Sequence, residues 1–287
     1  MKRKYLISGA TGLLGASILN EIKKNNGHVE VIEKEIITIP LSLDCLIKSI
    51  RDSKCDVFIH CAANTNVDYC EINLDECYKV NYLLPEILSG ICFSLGIKFV
   101  FISSTGIYGE TKKTPYTELD EPNPTTVHHN SKYQAEKTCR ITCPNSLIIR
   151  TGWLFGGDVS RKKNFVVNRI KEAKQTEGVI YSDPYQIGNP TSVYDASERI
   201  LLLIEKDISG IYNCVNTGVA SRYEYVKEII SLSNLPVKVE QLTSKFDRIA
   251  KVSNNESAEN YKMDLLGLPK MRGWKESLKY YINENCV

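Results

Sequence analysis

The sequence lacks the features that mark export, membrane insertion or nucleic-acid binding. Its most apolar stretch, 83–102, is broken by Pro85, Glu86 and Lys98, whereas a bilayer span needs about 20 apolar residues in a row. The basic start of the chain leads into an apolar run that glycines interrupt at 9–15, too early for a secretion signal. Lysine and arginine number 36 against 34 acidic residues, with no long block of one sign. We therefore expect a cytoplasmic protein with neither a nucleic acid nor a membrane as its partner.

Cysteine patterns that would indicate disulfides or a metal are also missing. The ten cysteines are scattered over 287 residues, and no two of them form a C-x-x-C pair. Cys139 and Cys143 lie four apart, near His128 and His129, but the ligand spacing of a zinc site is absent. The sequence therefore predicts reduced, mostly buried thiols and no metal site.

The first half of the chain alternates short β-rich runs with helical stretches, which indicates βαβ units around a parallel sheet. A hydrophobic share of 43% provides for a large core. We expect strands at 4–8, 28–32, 56–60, 97–102 and 146–150, and helices at 13–25, 43–52, 75–95, 132–138, 165–175, 192–205, 222–231 and 274–281. This layout predicts a doubly wound α/β domain. Beyond Arg150 the segments become shorter, with breakers such as Gly210, and a smaller second lobe is expected.

A glycine-rich turn, Gly9-Ala10-Thr11-Gly12-Leu13-Leu14-Gly15, follows the first predicted strand. In this spacing Gly9 permits the tight turn, Gly12 lets the backbone approach a diphosphate and Gly15 permits close helix packing. The N-terminus of the following helix supplies N–H donors and a positive potential. The turn therefore predicts a dinucleotide cofactor, NADP or NAD. Glu33 stands where a carboxylate would bind the ribose, but Lys34 beside it leaves the choice between the two open.

Several later segments resemble one family in the order in which that family has them. The G-x-x-G-x-x-G spacing, DVFIHCAANTNVD at 56–68, FISSTGIYG at 101–109, RTGWLFG at 150–156 and the loop 183–191 resemble the extended short-chain dehydrogenase/reductases, specifically the dTDP-4-dehydrorhamnose reductase family. The resemblance covers nearly the whole chain. It implies a Rossmann-type doubly wound parallel sheet in 1–150, to which 190–206 returns. It also implies a smaller α/β substrate-binding lobe, mainly 151–287.

The same resemblance implies a function and a set of contacts. The activity would be NAD(P)-dependent reduction of a 4-keto-6-deoxy sugar nucleotide for polysaccharide precursor synthesis, and a homodimer is compatible with it. The expected cofactor contacts are Gly9, Thr11, Gly12, Leu13, Leu14, Gly15, Glu33, Cys61, Ala62, Ala63, Thr65, Asn81, Ser103 and Lys132. The expected substrate contacts are Thr105, Val67, Trp153, Gln186 and Arg248.

The catalytic residues implied by the resemblance include one departure. Ser104 fits the hydroxyl that orients the carbonyl, and Lys132 fits the lysine that supports a tyrosine four residues earlier and holds the nicotinamide ribose. The i, i+4 spacing would place tyrosine and lysine on one helix face. In this chain the tyrosine position holds His128, and Tyr133 points about 100° away around the helix.

Three interpretations of His128 remain open from the sequence. Protonated His128 could donate the proton, since imidazole titrates near about 6.5 and is a common general acid, although Lys132 would lower its pKa. Alternatively, His128 could position a water or a substrate hydroxyl that relays the proton. In the third interpretation proton transfer is lost and the fold serves binding alone. His129, which lacks the spacing to Lys132, is expected to be a solvated residue at the helix start.

The substrate side and the reaction also allow more than one interpretation. Trp153 could be ordinary core at the domain junction. The basic loop Arg161-Lys162-Lys163 suits a diphosphate by its charge, as does Arg248, but a solvated surface run would look the same. An epimerase or dehydratase on the same fold, or a cofactor-binding regulatory protein without turnover, are the competing functions.

Overall fold

A computed structural model of the protein describes residues 2–32, 42–161, 163–244 and 247–286. Six parallel strands form its central sheet in the order β2-β1-β3-β4-β5-β10. Their bounds are β1 (Lys4–Ser8), β2 (His28–Val31), β3 (Val57–His60), β4 (Lys98–Ser104), β5 (Leu147–Thr151) and β10 (Gly210–Asn213). The chain moves outward from β1 to β2 and then crosses to β3 on the other side of β1. The strand order therefore reverses beside β1, where open α/β sheets bind ligands at the carboxyl ends of their strands.

Helices cover both faces of this sheet because the strands carry apolar residues in both directions. In β1, Leu6 joins one hydrophobic cluster and Ile7 the other. The face of Ile7 packs against α1 (Leu13–Lys24) and α8 (Val193–Glu205), and the face of Leu6 against α2 (Leu43–Ser53), α5 (Leu84–Ser94) and α6 (Val127–Thr142). The predicted α/β, doubly wound fold class is confirmed.

The helix predicted at 75–95 differs from the observed structure. The segment consists of α4 (Leu74–Tyr78), a π-helical turn (Lys79–Leu83) and α5, and it is preceded by α3 (Val67–Ile72). Asn66 caps α3 by accepting a hydrogen bond from the backbone N of Tyr69 at 3.1 Å. The π-turn carries Asn81, whose side chain is fully buried. Such turns inside helices frequently occur at functional sites.

One strand of the sheet was not predicted. Gly210 begins β10 with a φ of 106°, a left-handed value that glycine adopts without strain, and its N donates to the carbonyl of Ser146 at 2.8 Å. The strand is four residues long and pairs with β5, from Gly210 beside Leu147 to Asn213 beside Arg150. A segment this short shows too little periodicity to be recognised before its partner strand is known.

The remaining strands form three two-stranded sheets in the second lobe. Their bounds are β6 (Leu154–Phe155) with β9 (Thr191–Ser192), β7 (Val179–Ser182) with β12 (Lys238–Gln241), and β8 (Ile187–Gly188) with β11 (Ala220–Ser221). The helices are α7 (Phe165–Gln175), α9 (Arg222–Leu232), α10 (Tyr261–Leu265) and α11 (Trp274–Asn285). The hydrophobic core of the second lobe includes Phe155, Tyr225, Trp274 and Tyr281.

The described residues contain no disulfide bond and no helix that could span a membrane. All ten cysteines are free thiols, of which Cys45 is exposed, Cys61 and Cys286 are half-buried and the others are buried. Within the described ranges, no helix has both the length and the apolar character to cross a bilayer. The same residues contain no cluster of three or more His, Cys, Asp or Glu side chains that could hold a metal ion.

Candidate active site

A cleft of about 1910 Å³ opens at the carboxyl ends of β1, β3, β4 and β5. Its lining runs from the glycine-rich turn past Cys61 and the ends of the central strands to α6 and the start of the second lobe at Trp153. It therefore joins, in one space, the predicted phosphate-binding turn and the predicted catalytic residues.

The glycine-rich turn has the geometry of a diphosphate cradle. A Cβ on Gly15 would lie 2.3 Å from the carbonyl oxygen of Gly9, and one on Gly9 would lie 2.6 Å from the backbone N of Ala62. Gly12 is the N-cap residue of α1, and the first turn of that helix carries neither a side-chain cap nor an acidic residue. Its N–H groups are thus available to an anion, as in dinucleotide-binding proteins. The residues present fit a dinucleotide.

Most of the described residues that were predicted to contact the cofactor line this cleft, and Asn81 does not. Those in the lining are Gly9, Thr11, Gly12, Leu13, Leu14, Gly15, Cys61, Ala62, Ala63, Thr65, Ser103 and Lys132. Asn81 lies behind the lining, where its amide bonds to the backbone of Asn64. Glu33 lies outside the described residues.

Two buried hydroxyl groups in the cleft have no hydrogen-bond partner. These are the Oγ of Ser103, at the end of β4, and the Oγ1 of Thr151, at the end of β5. Both residues line the cleft at the carboxyl ends of their strands, and within the described residues neither hydroxyl has a partner. Thr151 was not among the residues predicted from the sequence, although its place at the end of a strand, like that of Ser103, is the signal that could have found it.

Lys132 is held at the floor of the cleft by α6. Thr126 caps this helix by accepting a hydrogen bond from the N of His129 at 3.2 Å, which places His128 in the first turn and Lys132 one turn later. The Nζ of Lys132 donates to the carbonyl of Ile102 at 3.0 Å. Burial lowers the pKa of Lys132 to about 8. The ammonium group is therefore still mostly protonated at neutral pH.

His128 lines the cleft one helical turn before Lys132 and is fixed through one ring nitrogen. Its Nδ1 lies 2.9 Å from the carbonyl oxygen of Asn64, which can only accept, so Nδ1 carries the proton. Burial, followed by the charges of His129 and Lys132, lowers the pKa of His128 to about 3. The ring is neutral at physiological pH, and its Nε2 offers a lone pair instead of a proton.

Asn81 holds the backbone that orients His128. Its Oδ1 accepts from the N of Asn64 at 2.9 Å, and its Nδ2 donates to the carbonyl of Asn64 at 3.0 Å. Asn81, on the π-helical turn, thus bonds both the backbone N and the carbonyl of Asn64. The same carbonyl holds the imidazole of His128 in place. The contribution of Asn81 to the site is support of the histidine.

Ser104 and Thr105 occupy neighbouring but different environments. Ser104 lines the cleft, and its Oγ accepts from the N of Gly106 at 3.2 Å. Thr105 is buried behind the lining and packs against the backbone of Gly152. A Cβ added to Gly152 would lie 2.3 Å from the Oγ1 of Thr105. Ser104 is therefore the hydroxyl that can face a bound carbonyl.

The expectation that His129 is solvated was wrong. The ring is buried, its Nδ1 lies 3.0 Å from the Oγ1 of Thr126, and it packs where a side chain on Gly106 would otherwise lie. Burial, together with the charge of Arg248, lowers the pKa of His129 to about 4. Two adjacent histidines are therefore both kept neutral at the start of α6.

Trp153 forms the wall between the cleft and the second lobe. Its Nε1 donates to the carboxylate of Glu256 at 2.7 Å, and the guanidinium of Arg222 stacks 3.5 Å from its ring centroid. Burial raises the pKa of Glu256 and lowers that of Arg222 to about 10. Neither Arg222 nor Glu256 was predicted for this role, because a stacking contact over 69 residues of sequence leaves no local pattern.

The other predicted substrate residues do not line the cleft. Gln186 accepts a hydrogen bond from the Nε of Arg222 at 3.2 Å, and Val67 begins α3. Arg248 donates twice to Asp68, at 3.1 and 2.8 Å. From the basic loop, Arg161 and Lys163 line the cleft, and Lys162 lies outside the described residues.

A strand-order reversal with a glycine cradle, next to a serine at the end of β4 and a lysine on α6, defines a nucleotide-binding α/β protein of the Rossmann type. The family described as the RmlD substrate binding domain matches residues 3–286, and the chain belongs to that family. The expectation drawn from the sequence motifs is thereby confirmed.

Individual relatives match this chain over nearly their full length. The chain is 31% identical to the spore coat polysaccharide biosynthesis protein SpsK of Bacillus subtilis, over 98% of this chain and 97% of that protein. It is 27% identical to dTDP-4-dehydrorhamnose reductase of Mycobacterium tuberculosis strain H37Rv, over 96% and 91%.

Solved structures show the same likeness. A dTDP-4-dehydrorhamnose reductase of Clostridium acetobutylicum superposes with a TM-score of 0.91 at 33% identity, covering 98% of this chain and 99% of that one. The Bacillus anthracis enzyme in complex with NADP gives a TM-score of 0.93 at 28% identity, covering 99% and 100%. A Thermus thermophilus UDP-glucose 4-epimerase, at 18% identity, shares the fold.

Proposed function

We propose that this protein is an NADP(H)- or NAD(H)-dependent reductase of a 4-keto-6-deoxy sugar nucleotide, dTDP-4-dehydrorhamnose or a close analogue. The observation that carries the proposal is the single cleft in which the glycine cradle meets Ser104, His128 and Lys132. Support comes from full-length relatives that are reductases of this substrate, one of them bound to NADP. The product would serve polysaccharide synthesis, as the name of the Bacillus subtilis relative indicates for that protein.

The two parts of the chain divide the binding between them. Residues 1–150, with 190–206 returning, would hold the cofactor, and 151–287 would mainly hold the nucleotide sugar. Trp153 would pack against the sugar, since Glu256 and Arg222 fix its indole at the edge of the cleft. Val67, Thr105, Gln186 and Arg248 would act on the substrate side. A cytoplasmic location and a homodimer remain predictions.

Each catalytic side chain has a separate task in this proposal. The nicotinamide cofactor, when bound, supplies a hydride to the keto carbon. Ser104 donates a hydrogen bond to the carbonyl oxygen and stabilises the charge that develops there. Lys132 holds the nicotinamide ribose and keeps a positive charge under the cleft.

His128 orients the proton carrier without being the acid itself. With a pKa of about 3 and its Nδ1–H already donated to Asn64, the neutral ring accepts a hydrogen bond at Nε2. A water held there can donate to the developing alkoxide, and the ammonium of Lys132, with a pKa of about 8, can replace that proton. The second interpretation of His128 is therefore the one that the geometry favours.

The decisive experiment follows nicotinamide absorbance with NADPH or NADH and a panel of 4-keto-6-deoxy nucleotide sugars. We expect turnover by the wild type and about 10- to 100-fold less by His128→Ala, since one proton-transfer group is typically worth about 10²–10⁴-fold and a water can partly replace this one. His128→Tyr should restore or raise the rate. Tyr133→Phe, one position beyond Lys132 with its hydroxyl bonded to Glu121 outside the cleft, is the matched control.

Two outcomes would replace this proposal. Cofactor binding without turnover of any substrate, together with a gain of activity in His128→Tyr, would indicate a cofactor-binding protein that has lost the reaction. A relative named methionine adenosyltransferase 2 subunit beta, 26% identical over 82% of this chain, shows that related chains are not all named as reductases. Conversion of the sugar with no net consumption of NAD(P)H would indicate an epimerase or a dehydratase.

A further inference from the structure

A loop of the second lobe reaches across the cleft to the glycine-rich turn. The described part of this loop, 158–161 and Lys163, presents Arg161 and Lys163 to the cleft that the turn also lines. The guanidinium of Arg161 donates to the carbonyl of Thr11, inside the turn. At the base of the same loop, a Cβ on Gly157 would lie 3.5 Å from the Cδ2 of Leu13. Arg161 therefore lies beside the diphosphate cradle, and Lys163 lines the same cleft.

This loop is anchored firmly to its own lobe. Asn164 caps α7 by accepting from the N of Val167, and its Nδ2 donates to the carbonyl of Gly156 at 3.3 Å. Tyr281, on α11, places its hydroxyl 2.7 Å from the Nδ2 of Asn164 and donates to the carbonyl of Gly157 at 3.0 Å. A loop fixed at its base in this way presents its tip at a low entropic cost.

The two side chains bring positive charge to the cleft, and Arg161 also helps to lower the pKa of Asp158 in its own loop. Among the residues that the structure describes, neither Arg161 nor Lys163 forms an ion pair. Opposite them lies the N-terminus of α1, with free N–H groups and no acidic residue in its first turn. Two cations and a helix N-terminus that converge on one space favour a bound anion.

We propose that Arg161 and Lys163 form a clamp from the second lobe over the diphosphate of the dinucleotide cofactor. The basic loop would then act on the cofactor, whereas its charge alone suited the diphosphate of the sugar nucleotide equally well. The bound dinucleotide is thereby held by both lobes at once. This inference rests on the cofactor of the proposed function, but it does not require that the reaction takes place.

The test is cofactor affinity, measured by titration calorimetry with NADPH, NADH and ADP-ribose, without any sugar substrate. We expect Arg161→Gln to weaken binding about fivefold and the double variant with Lys163→Gln about 20-fold, because charge-assisted hydrogen bonds at a partly exposed site are lost. The loss should be equal for all three ligands, since all three contain the diphosphate. It should also shrink at high salt, which screens exposed charges.

Lys171→Gln is the control, since Lys171 is an exposed lysine of α7 that does not line the cleft. Unchanged affinity in the double variant would overturn the clamp. A loss confined to NADPH would also overturn it, because the side chains would then contact the 2′-phosphate. If the protein proves unable to reduce any sugar nucleotide and the affinities still fall as expected, the clamp stands and only the proposed function fails.

Discussion

The two ends of the cleft differ in what determines them. At the glycine-rich turn the site is made of backbone, and its requirement is the absence of side chains at Gly9 and Gly15. At α6 the site is made of side chains, and its properties depend on the burial and neighbours of His128 and Lys132. The glycine spacing of the first end resembles that of the family, whereas at the second end the resemblance predicts a tyrosine where this chain has His128.

This difference shows which chemistry can be transferred from a motif. Backbone geometry at the turn follows from steric exclusion, so a matching spacing implies a matching site. A titratable group takes its protonation state from everything packed around it. The sequence alone would give His128 the reference pKa of a histidine, but burial in the folded protein lowers that pKa strongly. The contact with Asn64 fixes which ring nitrogen carries the proton.

The largest effect is expected where the site is made of backbone. Gly15→Ala would place a Cβ 2.3 Å from the carbonyl oxygen of Gly9, so α1 must move away from the turn. We expect cofactor affinity, measured by fluorescence titration, to fall at least about 100-fold, which corresponds to about 2.7 kcal/mol.

Gly90→Ala is the matched control for this change. Gly90 lies in α5, and a Cβ there would meet nothing within 4 Å. Alanine should leave cofactor affinity unchanged and raise the free energy of unfolding by up to about 1 kcal/mol through helix propensity. Normal NADPH binding by Gly15→Ala would show that the turn does not hold the diphosphate.

An intermediate effect is expected at Lys132, where a substitution should lower the turnover rate but raise the stability of the fold. Lys132→Met should lower turnover about 10²- to 10⁴-fold, since it removes the charge beneath the cleft. The pKa of Lys132 is about 8 in the folded protein, whereas its reference value, which applies to the unfolded chain, is 10.5. Between these two pH values the unfolded chain therefore binds more protons than the folded chain. The contribution of Lys132 to stability therefore rises with pH across that window, whereas buried thiols such as Cys61, whose pKa burial raises to about 12, contribute in the opposite sense above their reference value of 9.0.

Methionine removes this buried charge. The free energy of unfolding of Lys132→Met at pH 7 should exceed that of the wild type by on the order of 1–3 kcal/mol, and this difference should shrink between pH 8 and 10.5. Urea titrations at several pH values measure both quantities. A variant that is less stable at pH 7 would show that the bond from Lys132 to the carbonyl of Ile102 outweighs the cost of burying the charge.

The sequence predicted the parts of the fold that have a local cause. The turn at Gly9 and the strands before and after it follow from spacing and from apolar runs, and helix α7 was predicted with its observed bounds. Contacts between residues distant in the sequence were not predictable. Arg248 is bound by Asp68, 180 residues away, and this pair determines that Arg248 lies outside the cleft lining.

The candidate site divides along the same line. Ser104 and Lys132 line the cleft as their motifs indicated. His129 was assigned to solvent because it lacks the spacing to Lys132, yet the lack of a side chain on Gly106 creates the space that buries it. Spacing along the helix does not predict such a space, since the space depends on the packing of another segment.

The smallest effect is expected in the response of the fold to acid, and it concerns the three buried histidines. Burial lowers the pKa of His60 and His128 to about 3 and that of His129 to about 4, from a reference value of 6.5. Below pH 6.5 the unfolded chain therefore binds protons that the folded chain does not. Stability contributed by the neutral rings is complete above pH 6.5 and is lost as the pH falls towards 4.

Replacing one of these rings isolates its share of the acid response. Each ring contributes a slope of about 1.4 kcal/mol per pH unit near pH 5, so His128→Gln should flatten the fall in unfolding free energy by about that amount. His28→Gln, at an exposed ring on β2 that contacts Glu30, removes a histidine without removing a buried ring and is the control. Urea midpoints at pH 5, 6 and 7 measure the difference. An unaltered slope in His128→Gln would mean that His128 is protonated in the folded protein near pH 5, and the general-acid interpretation would then replace the water-orienting one.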